Sequence, residues 1–241
     1  MMSNTLVFLL VLVVIFISTM IRSTFGFGNA LIAMPLLVLL IGVKTASPLV
    51  ALAGSVISIL MLFQGWRDLQ WKETLALLGA SLPGIPVGLL LLSSVPESIV
   101  KIILGLILIG FGLYNLSGIQ LPRLTSRWLI LPFGLLAGVL GGAYNTNGPP
   151  IVIYAVFRGW TKDQFRASLQ GFFLISNLLI IAGHGISGLW TPEIGWYFLG
   201  SILPVGLAVY LGGRLSTRFS EELFNRIIYY FLVLTGILMF L

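Results

Sequence analysis

Charge is what this sequence has least of. Only 8% of its 241 residues are Asp, Glu, Lys or Arg, against about 25% in an ordinary soluble domain. With 58% hydrophobic residues and no long polar stretch, a separate water-soluble domain is excluded, and the chain reads as an integral membrane protein. Cysteine is absent altogether, which excludes disulfides, thiolate metal sites and a cysteine nucleophile. A single histidine, His184, excludes a multi-histidine metal centre. The acidic residues Asp68, Glu73, Glu97, Asp163, Glu193, Glu221 and Glu222 all fall in loops or at the ends of apolar runs. No carboxylate stands in the middle of a run, where proton-coupled carriers usually keep one. The net charge of +6 is spread thinly over loops, which speaks against nucleic acid and for a cytoplasmic excess of Lys and Arg.

What is present is a series of apolar runs at about 5–21, 30–43, 46–64, 74–93, 98–117, 128–142, 149–157, 165–183, 193–213 and 223–241. The first has no basic residue before it and no small-residue cleavage site after it, so it is expected to be a retained span rather than a signal peptide. About 20 residues cross a ~30 Å hydrocarbon core. The second and seventh runs are too short for that, and the sixth is marginal. Each short run follows a polar, Gly-rich break: Phe25-Gly26-Phe27-Gly28-Asn29 in the first half and Gly141 to Pro150 in the second.

The matching breaks point to an internal repeat. Pro35 and Pro150 stand 115 positions apart, Pro83 and Pro204 stand 121 apart within similar Leu-Gly contexts, and Gly112 and Gly236 stand 124 apart. Leu, Gly and Pro align easily in any membrane protein, but here the matches keep their order and both breaks fall in register. The expected organisation is a first transmembrane repeat over 1–117, a cytoplasmic linker over 118–127 and a second repeat over 128–241. With the N-terminus outside and every run crossing, the inside loops carry eleven Lys and Arg and the outside loops only Lys44 and Lys101. An odd number of segments per half then inverts the second half relative to the first. The expected fold is an all-α polytopic membrane protein of two inverted-topology repeats, each of about five segments with a broken or re-entrant helix pair. Runs one and two, and six and seven, read either as crossings or as re-entrant hairpins. The short second and seventh runs favour hairpins, whose tips would meet near the midplane.

Non-helical backbone at membrane depth is tolerated only where protein buries it or it lines a wet cavity. The two breaks are therefore the candidate binding site. Tyr144, Asn145, Thr146 and Asn147 offer hydroxyl and amide groups, Gly148 allows close approach of backbone, and Pro149 and Pro150 suit the first turn of a helix. Ser23, Thr24, Gly26, Gly28 and Asn29 supply similar chemistry in the first half. Two opposed helix N-termini with Asn and Thr side chains describe a site for an oxyanion. The plainer reading is that these Gly residues serve helix packing and the Asn residues cap helices. Arg22 approaches the membrane interior if runs one and two form a hairpin, and is an ordinary cytoplasmic Arg if the first run crosses. Gln170 and Asn177 share a helix face seven residues apart that could line the same cavity, although uncharged polar groups in spans more often hold helices together. His184 is expected at the membrane interface. Outward movement of a monoanion across about 150 mV would gain roughly 3.5 kcal/mol, enough for a gradient of a few hundredfold without a coupling ion.

The pattern resembles the TauE/SafE family of sulfite and organosulfur-anion exporters. The resemblance rests on Gly26-Phe27-Gly28 and Pro35 in the first half. In the second it rests on Gly138-Val139-Leu140-Gly141-Gly142, Gly148-Pro149-Pro150, Tyr154, Lys162, Phe165 and Arg166. It implies a bacterial inner-membrane permease that moves small sulfur-containing anions such as sulfite, sulfoacetate or another sulfonate by alternating access. No enzymatic activity and no cofactor is expected. The expected partners are the small anionic substrate and the lipid bilayer, with a homodimer as the candidate assembly, no nucleic acid, and both termini periplasmic. Two rivals are a small-anion channel and a membrane-embedded lipid pyrophosphate phosphatase. The breaks hold no carboxylate for the phosphatase chemistry, and no H-E-x-x-H zinc motif occurs.

Overall fold

The computed structural model describes residues 4–118 and 126–215, together with Arg226, Tyr229, Tyr230, Val233, Leu234, Gly236, Ile237 and Phe240. The chain is all-helical, with no strand among the described residues. The helices in order are α1 Asn4–Phe25, α2 Asn29–Ile41, α3 Val43–Gly65, α4 Trp71–Ser81, α5 Gly84–Ser94, α6 Glu97–Leu116, α7 Ile130–Tyr144, α8 Gly148–Arg158, α9 Lys162–Ile186 and α10 Pro192–Leu215. Short 3-10 turns precede α4 and α7. Five helices are long and apolar enough to cross a membrane, and a sixth span is formed if the bent pair α4–α5 counts as one. Of the tenth run, 223–241, only those eight scattered residues are described, and most of the linker at 118–127 lies outside the described residues.

Three boundaries differ from the sequence reading, each for a local reason. The break after the second run is a single residue, Gly42, whose φ of 74° ends α2, so Lys44 lies in the first turn of α3 rather than in a loop. The fourth run is not one helix. It bends by 46° between α4 and α5 at Pro83, which has no N–H to give and whose ring crowds the carbonyl four residues back. The eighth run starts three residues early because Thr161 and Gln164 close a capping box: Gln164 N donates to Thr161 Oγ1 at 3.3 Å and Thr161 N to Gln164 Oε1 at 3.1 Å.

α3 and α9 pack on one another at the centre. Around them the partners exchange between the halves. α1 lies along α10 from the second half, and α7 lies along α4 and α5 from the first. The larger apolar core draws Val11, Ile15, Met34, Leu37, Leu49, Ile57 and Val205 from α1, α2, α3 and α10. A second core joins Leu77, Ala137, Tyr154 and Phe172 from α4, α7, α8 and α9. Large apolar side chains also face outward, among them Leu9, Leu106, Leu135 and Leu203. Meanwhile Arg22, Asn29, Asn145, Asn147, Gln170 and Asn177 are buried. A polar interior beneath an apolar exterior suits lipid as solvent.

Without a hydrophobic drive between helices in lipid, close association depends on small residues. The α7 contact is built this way. A Cβ added at Gly138 would strike the Ser81 carbonyl, one at Gly142 the Ile85 carbonyl, and one at Gly88 the Val139 carbonyl. Backbone therefore rests on backbone, and there is no flexible side chain to yield. Polar contacts add a second tie between α4 and α8. Glu73 accepts from the Arg158 guanidinium, from Tyr154 Oη at 3.2 Å and from Trp160 Nε1 at 3.0 Å. We predict that Gly138→Ala lowers stability by about 1–3 kcal/mol, read as a fall in the thermal midpoint of the detergent-solubilised protein. Gly79→Ala, whose Cβ would meet nothing within 4 Å, leaves the midpoint unchanged or raises it. Equal effects of the two would contradict the backbone-contact account.

Candidate functional site

α1 ends where Gly26 takes a φ of 91°, and α2 begins after Gly28 at 103°. Both are left-handed conformations that glycine adopts without a Cβ penalty, so the chain reverses within three residues. The second break works differently. α7 ends at Asn145, the one non-glycine residue with positive φ among those described, and Asn tolerates that conformation better than other side chains. Its amide N–H bonds the Gly141 carbonyl at 2.9 Å, and its Nδ2 bonds Ser47 O at 2.7 Å and Ser47 Oγ at 2.9 Å. That pins the turn against α3. α8 then starts at Gly148 with Pro149 and Pro150 in its first turn.

The two turns face one another across a small cavity. It is lined by Arg22, Gly28, Asn29, Ala30 and Leu31 from the first hairpin and by Asn145, Thr146, Asn147 and Gly148 from the second. Val50 and Gly54 of α3 and Phe173 and Asn177 of α9 complete the wall. The cavity measures about 20 Å³, room for about one or two water molecules as it stands. Gly54 stands halfway along α3 and Phe173 about halfway along α9. The cavity therefore lies at mid-length of the two central spans, and among the described residues no carboxylate lines it.

Arg22 dominates the electrostatics. Its side chain is buried, with 2% of the residue exposed, and the groups it meets among the described residues are neutral. Nη1 donates to Asn29 Oδ1 at 3.1 Å, Nε and Nη2 donate to Gln170 Oε1 at 3.2 and 2.7 Å, and Nη2 also donates to Ser58 Oγ. The guanidinium carbon lies 4.7 Å from the centre of the Phe173 ring, a contact worth about 0.5–2 kcal/mol. Gln170 completes the clamp by donating Nε2 to Gly26 O at 2.6 Å. Removing a charge from water costs several kcal/mol even after relaxation, and these neutral contacts offset only part of it. Opposite Arg22, a Cβ on Gly54 would sit 2.7 Å from Asn177 Nδ2 and 3.5 Å from Arg22 Nη1. The missing side chain of Gly54 is thus what opens the space. Asn177 is 5% exposed, lines the cavity, and its amide has no hydrogen-bond partner among the described residues.

Of the residues singled out from sequence, Arg22, Gly28, Asn29, Asn145, Thr146, Asn147, Gly148 and Asn177 line this cavity. Gln170 stands behind it, holding Arg22. Asn147 is itself oriented by Ser176, to whose Oγ its Nδ2 donates at 3.0 Å. Four residues do not line it. Ser23 and Thr24 turn their hydroxyls back to the Thr19 and Met20 carbonyls of α1. Gly26 packs beneath Arg166, and Tyr144 is buried in the larger core. His184, in the last turn of α9, is fully buried within the protein: its Nε2 lies 3.4 Å from Ser47 Oγ, the hydroxyl that Asn145 also bonds. Sequence reasoning passed over Ser58, Gly54 and Phe173. A signal for the first two was the Gly54-x-x-x-Ser58 pair of small residues on α3. Phe173 falls between Gln170 and Asn177 on the face they share.

The motif residues outside the cavity hold its frame. Arg166 Nη2 donates to Ser23 O at 2.9 Å at the end of α1, and Phe165 meets Phe27 edge-on at 5.9 Å. Tyr154 belongs to the Glu73 tie between α4 and α8. Among the described residues no three His, Asp or Glu side chains gather as a metal site would need.

No curated protein and no solved structure matches the chain. The family model described as sulfite exporter TauE/SafE matches residues 10–239, nearly the whole length. The chain belongs to the TauE/SafE family of sulfite exporters, membrane transport proteins for sulfur-containing anions.

Proposed function

We propose that this protein carries a small sulfur oxyanion, sulfite or a small sulfonate, outward across the bacterial inner membrane, binding it in the cavity between the two hairpin tips. The observation that carries this reading is Arg22: a guanidinium buried among neutral partners, beside the unpartnered amide of Asn177. Buried charges are normally paired, and here no carboxylate among the described residues meets it. An anion in the cavity would complete the pair, while N–H groups at the starts of α2 and α8 give the directional contacts that helix N-termini offer to oxyanions.

The same residues account for access. α2 has 13 residues and α8 has 11, so at 1.5 Å per residue neither spans a ~30 Å core. Both are read as the inner arms of re-entrant hairpins. The exchange of partners, α1 with α10 and α7 with α4–α5, supports two repeats of opposite orientation. In that arrangement each hairpin would rock against the other repeat and expose the cavity to one side at a time. The termini then lie in the periplasm and the basic loops in the cytoplasm.

Two experiments test this. Arg22→Gln removes the charge but keeps an amide for its neighbours. The unliganded variant is expected to be no less stable than the parent, since a buried unpaired charge is lost. Its thermal shift with sulfite should vanish, corresponding to binding weakened by at least about 2 kcal/mol. Asn177→Ala should reduce the shift by about 1 kcal/mol. An undiminished shift in Arg22→Gln would place binding elsewhere. The second test uses the absence of native cysteine. Single cysteines at Asp68, between α3 and α4, and at Gly188, between α9 and α10, should react with an impermeant maleimide from the cytoplasm and the periplasm respectively. Labelling from the same side would refute the inverted repeat.

A further inference from the structure

The geometry points to a site selective for net charge: the cavity takes a singly charged anion and rejects a dianion, so that sulfite would be carried as hydrogensulfite. This rests on the reading of the cavity as the anion site.

The charge inventory is short. A guanidinium has five N–H donors. In Arg22, Gln170 takes one from Nε and one from Nη2, Ser58 takes the second from Nη2, and Asn29 takes one from Nη1. One N–H on Nη1 is left, on the nitrogen 3.5 Å from where a Gly54 Cβ would be. Around the cavity this residual donor accompanies one formal positive charge. The other lining groups are amides, hydroxyls, backbone and apolar side chains.

The helix termini do not supply a second charge. Each N-terminus facing the cavity carries a fractional positive end, but α1 ends at Phe25 four positions before α2 begins, and α7 ends at Tyr144 four positions before α8. Those C-termini bring fractional negative ends to the same two turns. They leave local N–H donors and little net charge.

Other ionisable groups on the surrounding elements are engaged elsewhere. On α9, Arg166 caps the Ser23 carbonyl, and His184 reaches the cavity only through Ser47 and Asn145. Asp163 lies in the exposed first turn of α9. Arg158 of α8 is bound to Glu73 of α4, Glu193 of α10 holds Tyr197, Arg214 lies over the Tyr210 ring, and Lys44 is exposed at the start of α3. A second negative charge brought into the cavity would thus be desolvated without a partner. The limited room acts in the same direction, because it leaves no space for a hydration shell around that charge.

Hydrogensulfite loses its proton near neutral pH, whereas sulfate is a dianion throughout. Binding should be measured by calorimetry on the purified full-length protein. Sulfate is expected to bind at least about a hundredfold more weakly than sulfite under mildly acidic conditions, roughly 2.7 kcal/mol. The dissociation constant for sulfite should rise about tenfold per pH unit once the dianion predominates, because only the monoanion fraction is competent. The same rise should persist in His184→Gln, which separates titration of the anion from that of the sole histidine. Sulfate binding within tenfold of sulfite would overturn the proposal, and so would sulfite binding that stays level or strengthens with pH. Loss of the pH dependence in His184→Gln would overturn it too, by assigning the effect to the protein. If neither anion bound at any pH, the site itself would be wrong, an outcome distinct from binding without charge discrimination.

Discussion

Everything in this molecule accommodates one buried positive charge. Arg22 sits in the last turn of α1, and a guanidinium in a low-dielectric interior is tolerated only when its donors are met. Four acceptor contacts come from three other helices: Asn29 on α2, Ser58 on α3 and Gln170 on α9. Gln170 also reaches the Gly26 carbonyl, so the same amide that orients the cation fixes the reversal of chain beside it. None of these partners is charged. A carboxylate there would make a stable ion pair and leave nothing for an anion to do. Neutral partners fix the geometry and leave the charge uncompensated, a local sacrifice of stability of the kind expected at functional sites.

Holding that charge at mid-length of α3 and α9 requires the chain to turn inside the protein, and the helices flanking the turns must be gripped by something other than hydrophobic drive. The glycines of α5 and α7 do this on one side, bringing backbone against backbone. On the other side Gly212 of α10 lies against the Met20 carbonyl and the Ser23 side chain of α1. Arg166 then satisfies the Ser23 carbonyl near the end of α1, an acceptor that would otherwise remain open at a helix terminus. Small residues and caps thus do in lipid what an apolar core does in water, and they locate the turns at the level of Gly54 and Phe173.

Much of this was legible in the sequence because local chemistry determines it. Glycines at 26 and 28 had to break a helix, and the tandem prolines at 149 and 150 had to begin one. The polar breaks had to be buried or wet in a chain with so little charge. The fate of Arg22 was not legible. Two of its three partners lie 36 and 148 positions away, and nothing local separates a buried Arg from a cytoplasmic one at the end of an apolar run. His184 does stand near a helix end, in the last turn of α9, but its burial was not legible, because the Ser47 that meets it comes from α3, 137 positions away. Pro83 and Pro204 correspond in sequence, yet only Pro83 ends a helix, while α10 runs on through Pro204. A proline only raises the energy of a continuous helix, and tertiary contacts decide whether the helix bends or breaks.

The two hairpins are alike in form and unlike in content. Offsets of 115 to 121 between corresponding positions place the counterpart of Arg22 within Ala137–Ala143, a stretch without a charged or polar side chain. The second hairpin instead brings Asn145, Thr146 and Asn147, held by Ser47 and Ser176. Two arginines facing one another across so small a cavity would repel at close range in low dielectric and would double the desolvation cost. With one, the first hairpin supplies the charge and the second supplies neutral donors and acceptors. Under the proposed mechanism the ligand would be shared between two bodies that move relative to each other. A site divided this way loses half its contacts whenever the hairpins part, so binding energy is fully realised only when they are together. In the proposed cycle this would link occupancy of the cavity to the relative position of the two halves, the coupling that alternating access requires.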